Sequence, residues 1–156
     1  MVAGLDARGF ILGPPIALAL KKPFLMMRKK GKMPNTVESP EYKTEYGNRS
    51  GLCVQKNAIK PGDRVLVIDD LVATGGTLSS AIQLVQMLGG EVVECACVVE
   101  LKMFIDPDEA SGLPSRTKLF KSLEIDDVKV WGLISEDILT NEAKLDDDYV
   151  DDGEEH

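Results

Sequence analysis

The run Val65-Leu66-Val67-Ile68-Asp69-Asp70-Leu71-Val72-Ala73-Thr74-Gly75-Gly76-Thr77 constrains this chain more than any other stretch. It opens with apolar, mostly β-branched residues, Val65 to Ile68, which suit a strand buried on both faces, as in a parallel sheet. Two carboxylates follow at once. After Leu71 and Val72 comes a small polar segment, Ala73 to Thr77, and then a helical spacing that puts Leu78, Ile82, Val85 and Leu88 on one face. Strand, acidic pair, glycine turn and helix, in that order, belong to an α/β sheet with the turn at a strand's carboxyl end.

Each part of that run has a chemical use. Glycine lets the backbone come close to a ligand and adopt conformations other residues avoid. The first turn of a helix offers unpaired N–H donors and the positive end of the helix dipole, which suits a phosphate. Thr74 and Thr77 add hydroxyls. With a phosphate on Ala73, Thr74, Gly75, Gly76 and Thr77, the carboxylates of Asp69 and Asp70 face a neutral hydrogen-bond donor, and the vicinal hydroxyls of a sugar fit. A glycine pair alone is more often only a turn, and an acidic pair more often a cap or a solvated edge; the combined string is far more specific. It is not the dinucleotide G-x-G-x-x-G, and it lacks the lysine of a G-x-x-x-x-G-K-[ST] loop.

Two further clusters fall after strand-like segments. Met1 to Leu5 reads as a strand delivering Asp6-Ala7-Arg8-Gly9-Phe10, where a forked cation beside glycine makes an anion clamp. Pro14 and Pro15 are acceptable in a helix's first turn, so a helix is expected from there to Lys21, followed by a strand over Pro23 to Met27. The cationic Arg28-Lys29-Lys30-Gly31-Lys32-Met33-Pro34 comes next. Pro34 to Gly51 is long, polar and without periodicity, as functional lids are. Leu52 to Val54 reads as an antiparallel return strand, and Lys60-Pro61-Gly62-Asp63 as the turn into the central strand. Gly89-Gly90 caps the following helix, and Glu91 to Glu100 and Val128 to Ile134 are strands. Lys102 to Ser122 reads as irregular. The expected fold is α/β: a doubly wound, mainly parallel five-stranded sheet flanked by helices, with a flexible loop. Its core spans residues 1–140, and residues 141–156 form an acidic C-terminal extension.

Composition excludes several classes. Seven acids and no Lys or Arg fall among the last eleven residues, so the formal net charge of −8 describes a solvated tail rather than the folded body. This argues against a nucleic-acid partner. The only histidine is His156, which removes an internal His metal site or a Ser-His-Asp triad. Cys53, Cys95 and Cys97 have no metal spacing and read as buried thiols of a reducing, cytoplasmic compartment. Ile11 to Leu20 is apolar, but it lacks a basic n-region and is broken by the prolines, so a packed helix is expected, and no membrane span.

The string from Asp69 to Thr77 resembles the 5-phosphoribosyl-1-pyrophosphate (PRPP) loop of type I phosphoribosyltransferases, in the form D-D-L-V-A-T-G-G-T found in the adenine-specific family. Asp6-Ala7-Arg8-Gly9-Phe10 resembles the family's pyrophosphate loop, which often holds a non-proline cis peptide, here at Asp6–Ala7. The cluster after Met27 resembles its R-K-x-G-K-[LM]-P. Tyr42-Lys43-Thr44-Glu45-Tyr46-Gly47 resembles its catalytic flexible loop. The resemblance covers Ala3 to about Val150. It implies transfer of the phosphoribosyl group of PRPP to adenine, giving AMP and pyrophosphate, with Mg2+ carried mainly by PRPP, in a homodimer.

By the same resemblance, Arg8, Arg28, Lys29 and Lys32 contact the diphosphate and Asp69 and Asp70 the ribose. Val72 would stack on the base, Glu45 would manage its proton, and Tyr46 would shield the site. Family members carry some dozens of residues ahead of the point where this chain opens, including the hood that reads the adenine edge, so purine choice here is implied by the loops alone. A hypoxanthine-guanine or xanthine transferase is the competitor within the enzyme class. Outside it stand a silent PRPP- or nucleotide-binding regulator, which needs neither Glu45 nor Arg8, and an interaction protein acting through its acidic tail.

Overall fold

The apolar run of the central segment becomes the middle of a sheet. In the computed structural model, which describes residues 1–40, 43–44, 47–48 and 51–135, the elements run β1 (Val2–Leu5), α1 (Gly9–Ala19), β2 (Phe24–Lys29), β3 (Thr36–Glu38), β4 (Lys43–Thr44), β5 (Gly47–Asn48), β6 (Leu52–Gln55), β7 (Arg64–Val72), α2 (Gly76–Met87), β8 (Glu91–Glu100), α3 (Arg116–Ser122) and β9 (Val130–Ser135). The sheet has seven strands in the order β3-β6-β2-β1-β7-β8-β9. Its five parallel strands, β2-β1-β7-β8-β9, are the expected sheet. β6 and β3 extend it with antiparallel pairing, so the strand count is seven rather than five. Parallel strands end on the same edge, so the segments after β1, β2 and β7 must meet there.

Alternation along β7 splits the core in two. Val65 and Val67 are fully buried on one face, with Leu78, Ala81, Ile82, Leu84 and Val85 of α2. Ile68 faces the other way, with Val2 and Ala17. Each large side chain buried under α2 contributes roughly 1.5–3 kcal/mol of transfer free energy. The thiols Cys53, Cys95 and Cys97 are buried and unpaired; burial pushes Cys95 up to about 12 and Cys97 to about 11.

Several elements depart from the sequence expectation. α1 starts at Gly9, not at Pro14, and holds both prolines inside it. Its buried residues, Gly9, Gly13 and Ala17, lie four apart and are all small, so the helix sits close to the sheet. A Cβ on Gly9 would lie 2.6 Å from the Ile68 carbonyl oxygen. The prolines are on the exposed side, where water can serve the carbonyls that lose their N–H partners. The stretch read as one long lid contains β3, paired with β6, and the β4–β5 pair. α3 lies in the stretch read as irregular; the Lys118 amide donates to the Ser115 hydroxyl at 3.1 Å, an N-cap. Residues 136–156, with the acidic extension, lie outside the described residues.

Candidate functional site

β7 is longer than its apolar run: Asp69 and Asp70 lie within the strand, not after it. Adjacent strand residues alternate in direction, yet the two carboxyls remain within reach of each other. Asp69 lines a cavity of about 170 Å³ together with the run from Leu71 to Leu78. Asp70 pairs with Arg8, Nε to Oδ2 at 2.8 Å, at the start of α1. The two residues are also joined along the strand, where the Asp70 amide donates to Asp69 Oδ1 at 2.9 Å. Burial above all, and the neighbouring Asp70, push the Asp69 carboxyl up to about 7, against the Asp70 amide and Arg8, which pull it down.

The cavity's rim is the start of α2. Gly75 caps the helix in the left-handed conformation, φ 79°, and no side chain caps the helix. Its first turn contains no acidic residue, so its unpaired amides and dipole face the cavity uncompensated. Thr77 is exposed there, and Thr74 half-buried. Gly75 is required twice over. Beyond its positive φ, a Cβ would lie 2.8 Å from Arg116 Cγ and 3.0 Å from Phe120 Cε1. A cavity of this size is below the ~300–1,000 Å³ that encloses a drug-sized ligand, and it suits the phosphate end of a nucleotide better than the whole.

The other two clusters reach the same edge. The Asp6–Ala7 peptide is cis. Asp6 Oδ2 accepts the Lys29 amide at 3.2 Å and lies 3.6 Å from Arg28 Nε. Arg28 Nη1 donates to the Lys32 carbonyl at 2.9 Å. Arg28 is thus tied into its own turn. Lys29 and Lys32 are exposed, with no ion pair among the described residues. Two contacts, Arg28–Asp6 and Arg8–Asp70, tie the three predicted loops into one edge.

Val72, expected beside the base, is among the residues lining the cavity and is also largely enclosed. It is 4% exposed, packs in the main core, and its carbonyl accepts the Leu101 amide at 2.9 Å. Leu71, 40% exposed, stands open on the cavity wall. Sequence reasoning passed over Leu71 because it counted the strand as ending before the acids. Glu45 and Tyr46 lie outside the described residues, between β4 and β5.

No group of three or more His, Cys, Asp or Glu among the described residues is placed to hold a metal. Asp69 alone offers a carboxylate to the cavity. That donor set fits a Mg2+ bound chiefly by substrate phosphates and water, which needs only one or two protein carboxylates. Among the described residues no helix is long and apolar enough to cross a membrane.

Comparison with known proteins agrees with this geometry. Residues 1–136 match the phosphoribosyl transferase domain. The chain is 54% identical over 114 residues to adenine phosphoribosyltransferase 2 of Arabidopsis thaliana, covering 73% of this chain and 59% of that protein. It thus spans about three fifths of that relative's length. Its fold is similar to the adenine phosphoribosyltransferase of Leishmania donovani, with TM-score 0.76 and 35% identity over 90% of this chain and 58% of that one. It is likewise similar to the Trypanosoma brucei enzyme in complex with AMP, pyrophosphate and ribose-5-phosphate, with TM-score 0.72 and 33% identity over the same 90% and 58%. A seven-stranded sheet whose parallel strands carry all three loops to one edge, matched along nearly its whole described length, places the chain in the phosphoribosyl transferase domain family.

Proposed function

We propose that this chain is the core of an adenine phosphoribosyltransferase, joining adenine to the phosphoribosyl group of PRPP to give AMP and release pyrophosphate. One observation supports this most: a cavity that joins a half-buried carboxylate, Asp69, to the acid-free start of α2. The 5′-phosphate sits on the amides and hydroxyls of Ala73 to Thr77, which turns a bimolecular attack into a positioned one. Asp69 accepts from the ribose hydroxyls and, when ionised, stabilises positive charge on the ring as the C1′–oxygen bond opens. Asp70 faces the ribose beside Asp69 and aims Arg8, and Arg8, Lys29 and Lys32 meet the departing pyrophosphate. Arg28 holds the turn that presents the two lysines. Leu71 gives the base an apolar surface. Mg2+, arriving with PRPP, supplies further neutralisation of the diphosphate.

Glu45 as the group that manages the base's proton, and Tyr46 as its shield, rest on the resemblance of Tyr42 to Gly47 to the family's flexible loop. We assign the core to residues 1–140, followed by an acidic extension over 141–156, and place the protein in the cytoplasm as a homodimer. Exposed apolar side chains such as Leu18 at 80% and Leu133 at 63% suit burial against a second copy. Pyrophosphate release from PRPP, measured with adenine, hypoxanthine and guanine in turn, tests the reading. Adenine alone should support turnover. Release with hypoxanthine or guanine instead would move the chain to another purine specificity, and no PRPP binding at all would leave the cavity without its ligand.

A further inference from the structure

Arg116 is 5% exposed, the only arginine among the buried side chains of the described residues. It opens α3, in the stretch whose sequence gave no functional signal. Its Nη2 donates to Glu100 Oε1 in a tight, largely buried ion pair. Glu100 ends β8 and pairs in register with Val72, the residue before the glycine loop, and with Ser135 of β9. Its stem meanwhile lies against Gly75: a Cβ there would come within 2.8 Å of Arg116 Cγ and 2.9 Å of Cδ. Phe120, one turn further along α3, closes the same contact. A buried arginine is costly unless it is paired and hydrogen-bonded, and its Nη1 has no hydrogen-bond partner in the described structure. Packing alone could be done by leucine at lower cost. What the guanidinium adds is direction: anchored on Glu100, it fixes where the stem lies.

We propose that Arg116 is a positioning residue for the phosphate cradle, a wall locked by Glu100 that holds Gly75 in its left-handed conformation and so aims the amides of Gly75 to Thr77. The inference rests on the cradle reading given under Proposed function. Arg116 touches no substrate; it acts through Gly75. A shift of the stem moves the cap of α2 and with it the amides that meet the phosphate, so the loss falls on binding of that group.

The test is the double variant Arg116→Met with Glu100→Gln, which keeps the stem's volume and removes both charges together, so that neither is left buried alone. With the full chain, ribose 5-phosphate binding is measured by calorimetry, and KM for PRPP and kcat with adenine by pyrophosphate release. The expected result is a folded protein whose ribose 5-phosphate affinity falls and whose KM for PRPP rises about tenfold, with kcat changed by less than about threefold. A purely structural role would lower the melting temperature and leave KM alone. If the double variant does not fold, Arg116→Lys decides: its ammonium keeps the charge on Glu100 but not the fork, so KM for PRPP should rise about threefold. Unchanged KM and ribose 5-phosphate affinity in a folded variant overturn this inference and leave the cradle standing. Failure of the unmodified chain to bind ribose 5-phosphate overturns the cradle and this inference with it.

Discussion

The junctions β1–α1 and β7–α2 follow one plan and are finished in opposite ways. In both, a buried parallel strand ends at the same edge, a glycine marks the helix start, no side chain caps the helix, and the first turn carries no acid. At β1–α1, Gly9 has no unusual φ; it is needed for room, since a Cβ would meet the Ile68 carbonyl. Beside it Arg8, largely exposed, pairs with Asp70. At β7–α2, Gly75 is needed for conformation as well as room, and the opening is left facing a cavity. Similar punctuation in a sequence therefore stands before a tight packing contact in one place and before an open cavity in the other. What separates them is the backbone at the helix start, which takes a positive φ at Gly75 and not at Gly9.

Substitution of Gly75, with Gly31 as its control, is the strongest way to break that contrast. Gly75→Ala combines a left-handed alanine with a clash on Arg116 and Phe120, neither of which can swing clear while Arg116 stays paired. The expected loss of stability is about 3 kcal/mol, with loss of ribose 5-phosphate binding. Gly31→Ala shares a positive φ, 77°, but its Cβ would meet nothing within 4 Å; about 1 kcal/mol is expected, with binding kept. Equal losses for the two in chemical denaturation would mean that conformation alone governs Gly75.

Arg8→Met separates chemistry from stability at the other junction. Arg8 is 73% exposed and Asp70 24%, so the pair contributes no more than about 1 kcal/mol to folding. Its removal should nevertheless lower turnover about 100-fold, because the cation meets charge that develops on the leaving pyrophosphate. A variant with turnover within about threefold of the original would confine Arg8 to its pair with Asp70. Gly9→Ala, by contrast, should cost about 2 kcal/mol through overpacking against backbone that cannot move, and should leave KM for PRPP near its original value. A KM change larger than the stability change would show that this opening too is a ligand site.

The difference between the junctions was only partly legible in the sequence. The convergence of three loops on one edge was legible, because parallel strands share their carboxyl ends and each cluster follows an apolar run. The continuation of β7 through Asp69 and Asp70 was not. The end of β7 is set by its pairing with β8 as far as Val72 and Glu100, a contact distant in sequence, and hydrophobicity alone stops the strand at Ile68. The start of α1 was misjudged because Pro14 and Pro15 are strong local signals, while the fit of Gly9 and Gly13 against Ile68 and Phe24 is a tertiary one. β3 needed β6 to pair with. Arg116 was missed because an arginine before Thr117 and Lys118 looks solvated until Glu100 is brought to it by the sheet.

Asp69 gives the finest probe of the cavity. Burial lifts its carboxyl from the ordinary 3.8 to about 7. Between those values the unfolded chain has released this proton while the folded one still holds it, so stability falls as pH rises through the interval and levels off above about 7. Asn imitates the protonated form. Asp69→Asn should therefore melt with the original protein near about pH 4, where both carry a neutral group, and above it by a few degrees near about pH 8. If ribose hydroxyls donate to Asp69, ligand favours the ionised carboxylate, and AMP binding near about pH 6.5 should release a fraction of a proton that the variant does not release. Calorimetry in buffers of different ionisation enthalpy counts that proton, and the variant cancels the titration of the phosphate itself. The same count in both proteins would remove Asp69 from the ribose. The melting contrast would survive such a result, because it depends only on burial, so the two measurements distinguish a carboxylate that faces a ligand from one that is merely enclosed.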